Sequence, residues 1–383
     1  MKLLIKTMHG LEEVLAQEVT DLGGENVQIL KRSVSCEGNL EFLYKANMNL
    51  RLALKILVPI YRFTARNEDE LYTEVYKFDW SKYLKNEQTF AIDNTIFSEF
   101  FRHSKYAALK TKDAIVDQFR NKTGIRPSVD IKRPDIQFDL HAFKDQFTIS
   151  LDSSGDTLNK RGYHEPGHQA PMNEVLAAGL LKLAGWEKSI PLIDPMCGSG
   201  TILFEAALMG MNIAPQMYRR DFAFKNWNSY DPTIWNRVRA EAQAAIRKTP
   251  LQISGGDIDL MAVKLVEKTI RKLKMNDTIS VRKIAMEKHS PKTPDGMLIT
   301  NPPYGERIGE NVNELYKMIG DTLKNHYDGF DAWIISSNMA AFKHVRLRAS
   351  KKIVLFNGSL ECKFQKYEMY KGSLDAKPKG DQP

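Results

Sequence analysis

Cysteine is scarce: Cys36, Cys197 and Cys362 stand far apart in 383 residues. That is too few, and too scattered, for a disulfide framework or a zinc cluster. No apolar run reaches the roughly 18–20 residues of a membrane helix. The opening Met1-Lys2-Leu3-Leu4-Ile5-Lys6 has neither the length of a signal-peptide core nor a small-residue cleavage site. No segment repeats. At 43% hydrophobic and 27% charged, the composition is not that of a disordered chain. Secreted scaffolds, membrane spans and zinc proteins are disfavoured, and a soluble cytoplasmic protein without a bound metal is expected. The length suits two to three domains of about 150 residues each.

Charge is present, and unevenly placed. Lys plus Arg exceed Asp plus Glu, 55 against 47, and residues 1–160 balance 23 against 23, so the excess lies behind them. A polyanionic partner fits that excess. Glu99 to Arg133 also concentrates basic side chains, among them Lys105, Lys110, Lys112 and Arg120. Lys343 to Lys352 forms a second basic run. Clusters of this kind neutralise phosphates, although a solvated helix face has the same composition.

Two rhythms divide the chain. The first 45 residues read strand, helix, strand, with Leu11, Val14, Leu15 and Val19 at helical spacing before Gly23-Gly24. Ala107 to Phe119 is an amphipathic helix. The runs 129–131, 136–140 and 147–151 alternate with period two, as half-buried antiparallel strands do. Ser153-Ser154-Gly155 begins a linker. Beyond about residue 165, strands and helices alternate, the signature of a parallel sheet covered by helices. Its strands lie near 190–193, 253–257, 278–284, 296–300 and 332–335. A hairpin around Asn357-Gly358 closes the sheet. This gives five parallel strands plus two, preceded by an α+β region.

In such sheets ligands lie beyond the carboxyl ends of the strands, and the unusual residues stand there. After the first parallel strand come Asp194 and Cys197-Gly198-Ser199-Gly200-Thr201, small residues that let a ligand approach the backbone and a helix N-terminus. Position 203 is Leu, so the third glycine of a dinucleotide fingerprint is missing, and no Walker lysine follows. Cys197, with no activating partner nearby in sequence, reads as a small packing residue. After the second strand, Asp257 suits two ribose hydroxyls. Asp259 suits either a ligand or a helix cap. After the fourth comes Asn301-Pro302-Pro303-Tyr304. A double proline cannot continue a ladder, so the chain turns out rigidly, presenting the Asn301 side-chain oxygen and the Pro302 carbonyl. Two close acceptors match the two hydrogens of a nucleobase amino group, and Tyr304 offers a ring for stacking. Drawing that amine toward tetrahedral geometry frees its lone pair for attack on a methyl sulfonium, a matter of positioning and electrostatics.

The segments 194–201, 256–259 and 301–309 resemble the amino-methylating branch of the Rossmann-fold methyltransferases. Segments 151–163 and 170–174, the Arg220-x-Phe222-x-Phe224-x-x-Trp227 pattern and the stretch 357–362 narrow the resemblance. They are similar to the THUMP-domain RNA methyltransferases, in particular to the guanine-N2 half of the large-subunit ribosomal RNA enzyme. Segment 104–117 resembles the THUMP helix. The resemblance implies a seven-stranded Rossmann-like sheet over 156–372, a ferredoxin-like unit over 1–45, a THUMP RNA-binding domain over 46–155 and a disordered tail over 373–383. It implies S-adenosyl-L-methionine as cofactor, held by Asp194, Cys197, Gly198, Gly200, Asp257 and Asp259, with Ala170 and Asn173 near its methionine end. Asn301 to Tyr304 would hold the target base, and Arg307 would reach RNA phosphate or guanine O6. The Asp usual after the third strand is replaced by Ile284-Ala285-Met286, leaving Glu287 or backbone atoms for the adenine. The expected activity is N2-methylation of a guanine in 23S ribosomal RNA. Transfer RNA as substrate and adenine-N6 methylation are the alternatives.

Overall fold

The computed structural model describes residues 1–101, 103–164, 172–303 and 312–370; Ala170, Tyr304 and Arg307 lie outside them. Contacts divide the chain into two units that interleave in sequence. One takes Met1–Thr7, Leu15–Arg161 and Gln216–Ala244; the other takes Met8–Val14, Gly162–Pro215 and the chain from Ala245 on.

The first unit is built on β1 (Lys2–Lys6), β2 (Glu25–Leu30), β3 (Ser33–Glu37), β4 (Lys55–Thr64), β5 (Thr89–Phe97), β6 (Ser128–Val129), β7 (Ile136–Phe143) and β8 (Gln146–Asp152). They form one sheet in the order β2-β3-β1-β4-β8-β7-β5-β6. Helix α1 (Glu12–Asp21) follows β1, α2 (Leu40–Asn49) precedes β4, and α3 (Glu68–Lys77) and α4 (Ser104–Thr123) flank β5. The period-two runs at 136–140 and 147–151 are the antiparallel pair β7–β8. Strand β5, however, runs parallel to both β6 and β7, because α4 supplies the long crossover that parallel neighbours require. The run at 129–131 shrinks to the two residues of β6, and Ile131 is 84% exposed.

Ser153-Ser154-Gly155 is not a solvated linker. Both serines are fully buried. Ser153 donates to the Ile56 carbonyl and Ser154 accepts from the Ile56 amide. The buried Asp152 carboxylate holds the Ser154 and Gly155 amides and pairs with Lys55 at 2.7 Å. Serine hydroxyls satisfy buried backbone groups as readily as they face water, so composition misleads here. Phe222, Phe224 and Trp235, with α7 (Pro232–Ala244), pack in this same unit. The Tyr44 ring of α2 packs at a tilt against Phe224, centroids 4.6 Å apart, and its hydroxyl accepts from the Asp231 amide.

The second unit holds β9 (Leu192–Asp194), β10 (Ile253–Asp257), β11 (Ile279–Lys283), β12 (Gly296–Thr300), β13 (Phe330–Ser336), β14 (Lys351–Asn357) and β15 (Leu360–Glu368). Their order is β11-β10-β9-β12-β13-β15-β14. The first five run parallel and the closing hairpin pairs antiparallel to β13, as the alternation and Asn357-Gly358 predict. Helices α5 (Glu174–Ala184), α6 (Thr201–Gly210), α8 (Leu260–Leu273) and α9 (Val312–His326) complete it. Tyr316, Ile319 and Leu323 of α9 bury themselves with Leu298 and Ile334 of the sheet. On α9, Gly320 lets the turn Ala341–Val345 come close: a Cβ there would lie 1.9 Å from the Val345 carbonyl oxygen. Backbone cannot yield as a flexible side chain does. Gly320→Ala is therefore expected to destabilise this unit by about 3 kcal/mol, read as a fall in the urea midpoint.

Candidate active site

The order of the second sheet reverses at β9, whose neighbours are β10 on one side and β12 on the other. At such a switch point the two crossovers leave in opposite directions and open a crevice beyond the carboxyl ends. Asp194, Asp257 and Thr300 end those three strands.

The glycine loop is tied to both neighbours. Toward β10, the Cys197 amide donates to the Gly256 carbonyl at 2.9 Å and the Gly198 amide to Asp257 Oδ2 at 2.8 Å. Toward β12, the fully buried Thr300 hydroxyl donates to Asp194 Oδ1 at 2.8 Å, which also accepts the Met196 amide at 3.2 Å. Sequence reasoning passed over Thr300; its only signal was a hydroxyl at a buried strand end, next to Asn301. Gly198 and Gly200 take φ of +49° and +72°, where a side chain would be strained. A Cβ on Gly198 would meet nothing within 4 Å, so the loop presents bare backbone to open space there. Gly200 opens α6 without a side-chain cap, leaving the first amides of that helix without a capping partner from Gly200.

Asp194 is 2% exposed, and burial pushes its carboxyl up to about 7, with the nearby Asp257 charge adding to the effect. Cys197 packs as the sequence suggests. Its thiol is pushed well above its ordinary value by burial and the two carboxylates, and its Sγ crowds the position a Cβ on Gly255 would take. Asp257 has one oxygen on the Gly198 amide and the other on the Asp259 amide, 2.9 Å away. Each carboxylate oxygen retains a second lone pair for an incoming hydroxyl. Asp259 caps α8: its side chain accepts from the Met261 amide at the start of that helix. Asp259→Ala is expected to cost about 1 kcal/mol of stability and leave nucleoside-ligand affinity unchanged, measured by thermal melting and calorimetric titration. Asn173 likewise caps α5, its Oδ1 taking the Val175 and Leu176 amides, which leaves the side-chain NH2 for a ligand. Glu287 is exposed on a short turn after β11.

Asn301 and Pro302 leave the sheet directly after Thr300. Asn301 Oδ1 is buried and has no hydrogen-bond partner among the described residues. A buried acceptor left unsatisfied costs about 1–3 kcal/mol. In the first unit, α4 carries Lys105, Lys110, Lys112 and Arg120, but Lys112 pairs with Asp113 at 2.5 Å and Arg120 with Asp117 at 2.7 Å. The basic run is thus partly neutralised along the helix. Among the described residues, no helix is long and apolar enough to cross a membrane.

Known proteins resemble this chain in sequence and fold. Residues 2–57 match the RlmL ferredoxin-like domain, 65–152 the THUMP domain and 161–366 the RMKL-like methyltransferase domain. A candidate RNA methyltransferase of Synechocystis sp. is 38% identical over 364 residues, 94% of this chain and 95% of that protein. The ribosomal RNA large subunit methyltransferase K/L of Syntrophotalea carbinolica is 37% identical over 375 residues; these cover 94% of this chain and 52% of that protein. The chain thus spans about half the length of that relative. The crystal structure of SMU.472, a candidate methyltransferase complexed with SAH, superposes with a TM-score of 0.86 at 31% identity, covering 97% of this chain and 99% of that one. With its methyltransferase match running over more than half of its length, and with the glycine loop and Asn-Pro-Pro corner in place at the switch point, the chain belongs to the RMKL-like methyltransferase family.

Proposed function

We propose that this protein is an S-adenosylmethionine-dependent RNA methyltransferase acting on the exocyclic N2 amine of a guanine in large-subunit ribosomal RNA. The observation that carries the reading is the buried Asn301 Oδ1 just beyond β12, without a partner among the described residues. An amino hydrogen of the target base satisfies it, and the Pro302 carbonyl takes the second hydrogen. The cofactor site fits on its own terms: a bare Gly198 backbone facing open space, the Gly200 helix start, and Asp257 with lone pairs to spare beside them. The cofactor supplies an electrophilic methyl on a sulfonium.

The protein's own residues do the rest. Asp194, through Thr300, keeps the loop and the Asn-Pro-Pro corner in register. Asp257 holds the loop amide and accepts ribose hydroxyls. Asn301 and Pro302 draw the target nitrogen out of conjugation and hold it for in-line attack. No strong base is required, because the methylated nitrogen becomes acidic and releases its proton readily. The SAH held by SMU.472 and the ribosomal RNA named for the K/L relative support donor and acceptor respectively; the THUMP match supports RNA as the partner of the first unit. The test is transfer of tritiated methyl from the labelled cofactor to protein-free 23S ribosomal RNA, followed by nucleoside mass spectrometry. N2-methylguanosine in that RNA is expected. Label in transfer RNA alone, or as N6-methyladenosine, would overturn the assignment.

A further inference from the structure

Strands β5 and β7 end together in the first unit: Phe97 and Phe143 are register partners, and both rings are turned out to solvent at 64% and 58% exposure. Strand ends normally bury such residues or replace them with polar ones, so two adjacent exposed phenylalanines ask for a partner. Phe100 follows at 41% and Tyr106, in the first turn of α4, at 47%. Cations accompany the rings. Lys144 Nζ lies 5.8 Å from the Phe143 ring, the Arg66 guanidinium 6.0 Å from Phe100, and Lys110 Nζ 5.9 Å from Tyr106 and 6.0 Å from Tyr72.

This alternation decides between partners. A surface built to dock another protein depletes lysine at its centre, whereas one that binds unpaired nucleic acid sets flat rings for the bases among cations for the phosphates. Lys144 adds a separate indication. It occupies the β7–β8 turn at φ +57°, with its amide donating to the Phe97 carbonyl at 2.8 Å. Gly, Asn or Asp would take that left-handed conformation more easily. A long cation therefore stands where the backbone alone favours a small residue.

We infer that the Phe97–Phe143–Lys144 tip, continued by Arg66–Phe100 and Tyr106–Lys110, is a stacking platform for unpaired nucleotides of the substrate RNA. The inference rests on the RNA reading above and narrows it. The first unit recognises looped-out or single-stranded bases. Arg66 pairs with Asp145 at 3.2 Å, as Lys112 and Arg120 pair with their own carboxylates, so phosphate contact falls chiefly to Lys144 and Lys110.

The test uses the full chain, a stem–loop RNA of about 30 nucleotides carrying 2-aminopurine in its loop, and the blunt duplex of the same stem. The wild-type protein is expected to prefer the stem–loop and to quench the probe. Phe97→Ala and Phe143→Ala, both solvent-exposed and so folding normally, should each weaken stem–loop binding about 5- to 100-fold and leave duplex binding unchanged. Lys144→Gly relieves the turn, so it should melt no lower than wild type while flattening the slope of log affinity against log salt by about 0.7–0.9. If the wild-type protein prefers the stem–loop and all three variants match it, the platform is refuted and the RNA reading stands. If wild type shows no preference for the stem–loop yet methylates ribosomal RNA, the platform is refuted likewise. If wild type neither binds nor methylates any RNA, the RNA reading falls first.

Discussion

Asn301→Ala is expected to lower methyl transfer by at least about 10²–10³-fold, the usual loss when one preorganised group at a reacting centre is removed. Stability should move the other way or not at all. The deleted oxygen is a buried acceptor without a partner among the described residues, so its loss removes a desolvation cost of about 1–3 kcal/mol and breaks no bond to any of them. Cofactor affinity should stay within a few-fold. Three measurements separate the roles: single-turnover kinetics, thermal melting, and calorimetric titration with S-adenosylhomocysteine. A variant that loses activity together with stability would make Asn301 part of the fold and not of the base pocket.

Asp194→Asn is expected to show the second large effect, and one that depends on pH. The carboxyl is raised from 3.8 to about 7, chiefly by burial. A raised carboxyl binds its proton more tightly in the folded chain than in the unfolded one. Its cost is therefore absent below about pH 4, grows between pH 4 and 7, and is complete above 7. That cost is on the order of 4 kcal/mol at pH 8. Asparagine keeps an acceptor for the Thr300 hydroxyl and the Met196 amide but has no charge to bury. The variant should match wild type near pH 4 and melt higher at pH 8. Binding should suffer, however. A cationic donor bound beside this group, as proposed, would favour its ionised form, so wild-type affinity for S-adenosylmethionine should fall as pH drops below 7, with proton release near neutrality. Titration in buffers of different ionisation enthalpy would detect that proton. The variant should bind more weakly above pH 7 and show no such dependence. A wild-type affinity that stays flat from pH 5.5 to 8 would mean that Asp194 does not sense the donor.

The two effects share one origin. Thr300, the residue immediately before Asn301, donates to Asp194, so the buried carboxylate anchors the start of the corner proposed to hold the base. Its burial destabilises the fold and holds the site in register. Functional positions commonly retain such a trade against stability.

Much of the second unit was legible in the chain. Alternating strand and helix runs, the Gly loop, the double proline and Asn357-Gly358 are local signals, each set by the period of its own side chains or the steric demands of its own turn. They located the seven strands within a few residues and placed Asp194, Asp257 and Asn301 at strand ends. Which atoms those residues engage was another matter. Asp259 and Asn173 cap helices, Asp257 is already engaged with two amides, and Thr300 carries a role that no motif marked. The first unit was harder to read. Period-two alternation shows that a strand has two unlike faces, yet it is blind to whether its neighbour runs with it or against it, as β5 and β7 illustrate. The serines at 153 and 154 became core, and the 216–244 stretch joined Tyr44 and not the sheet that follows it in sequence. Periodicity and turn chemistry are properties of neighbouring residues, so they survive in a string of letters. Burial, pairing direction and the satisfaction of polar atoms depend on residues a hundred positions away, and only the folded chain brings those together.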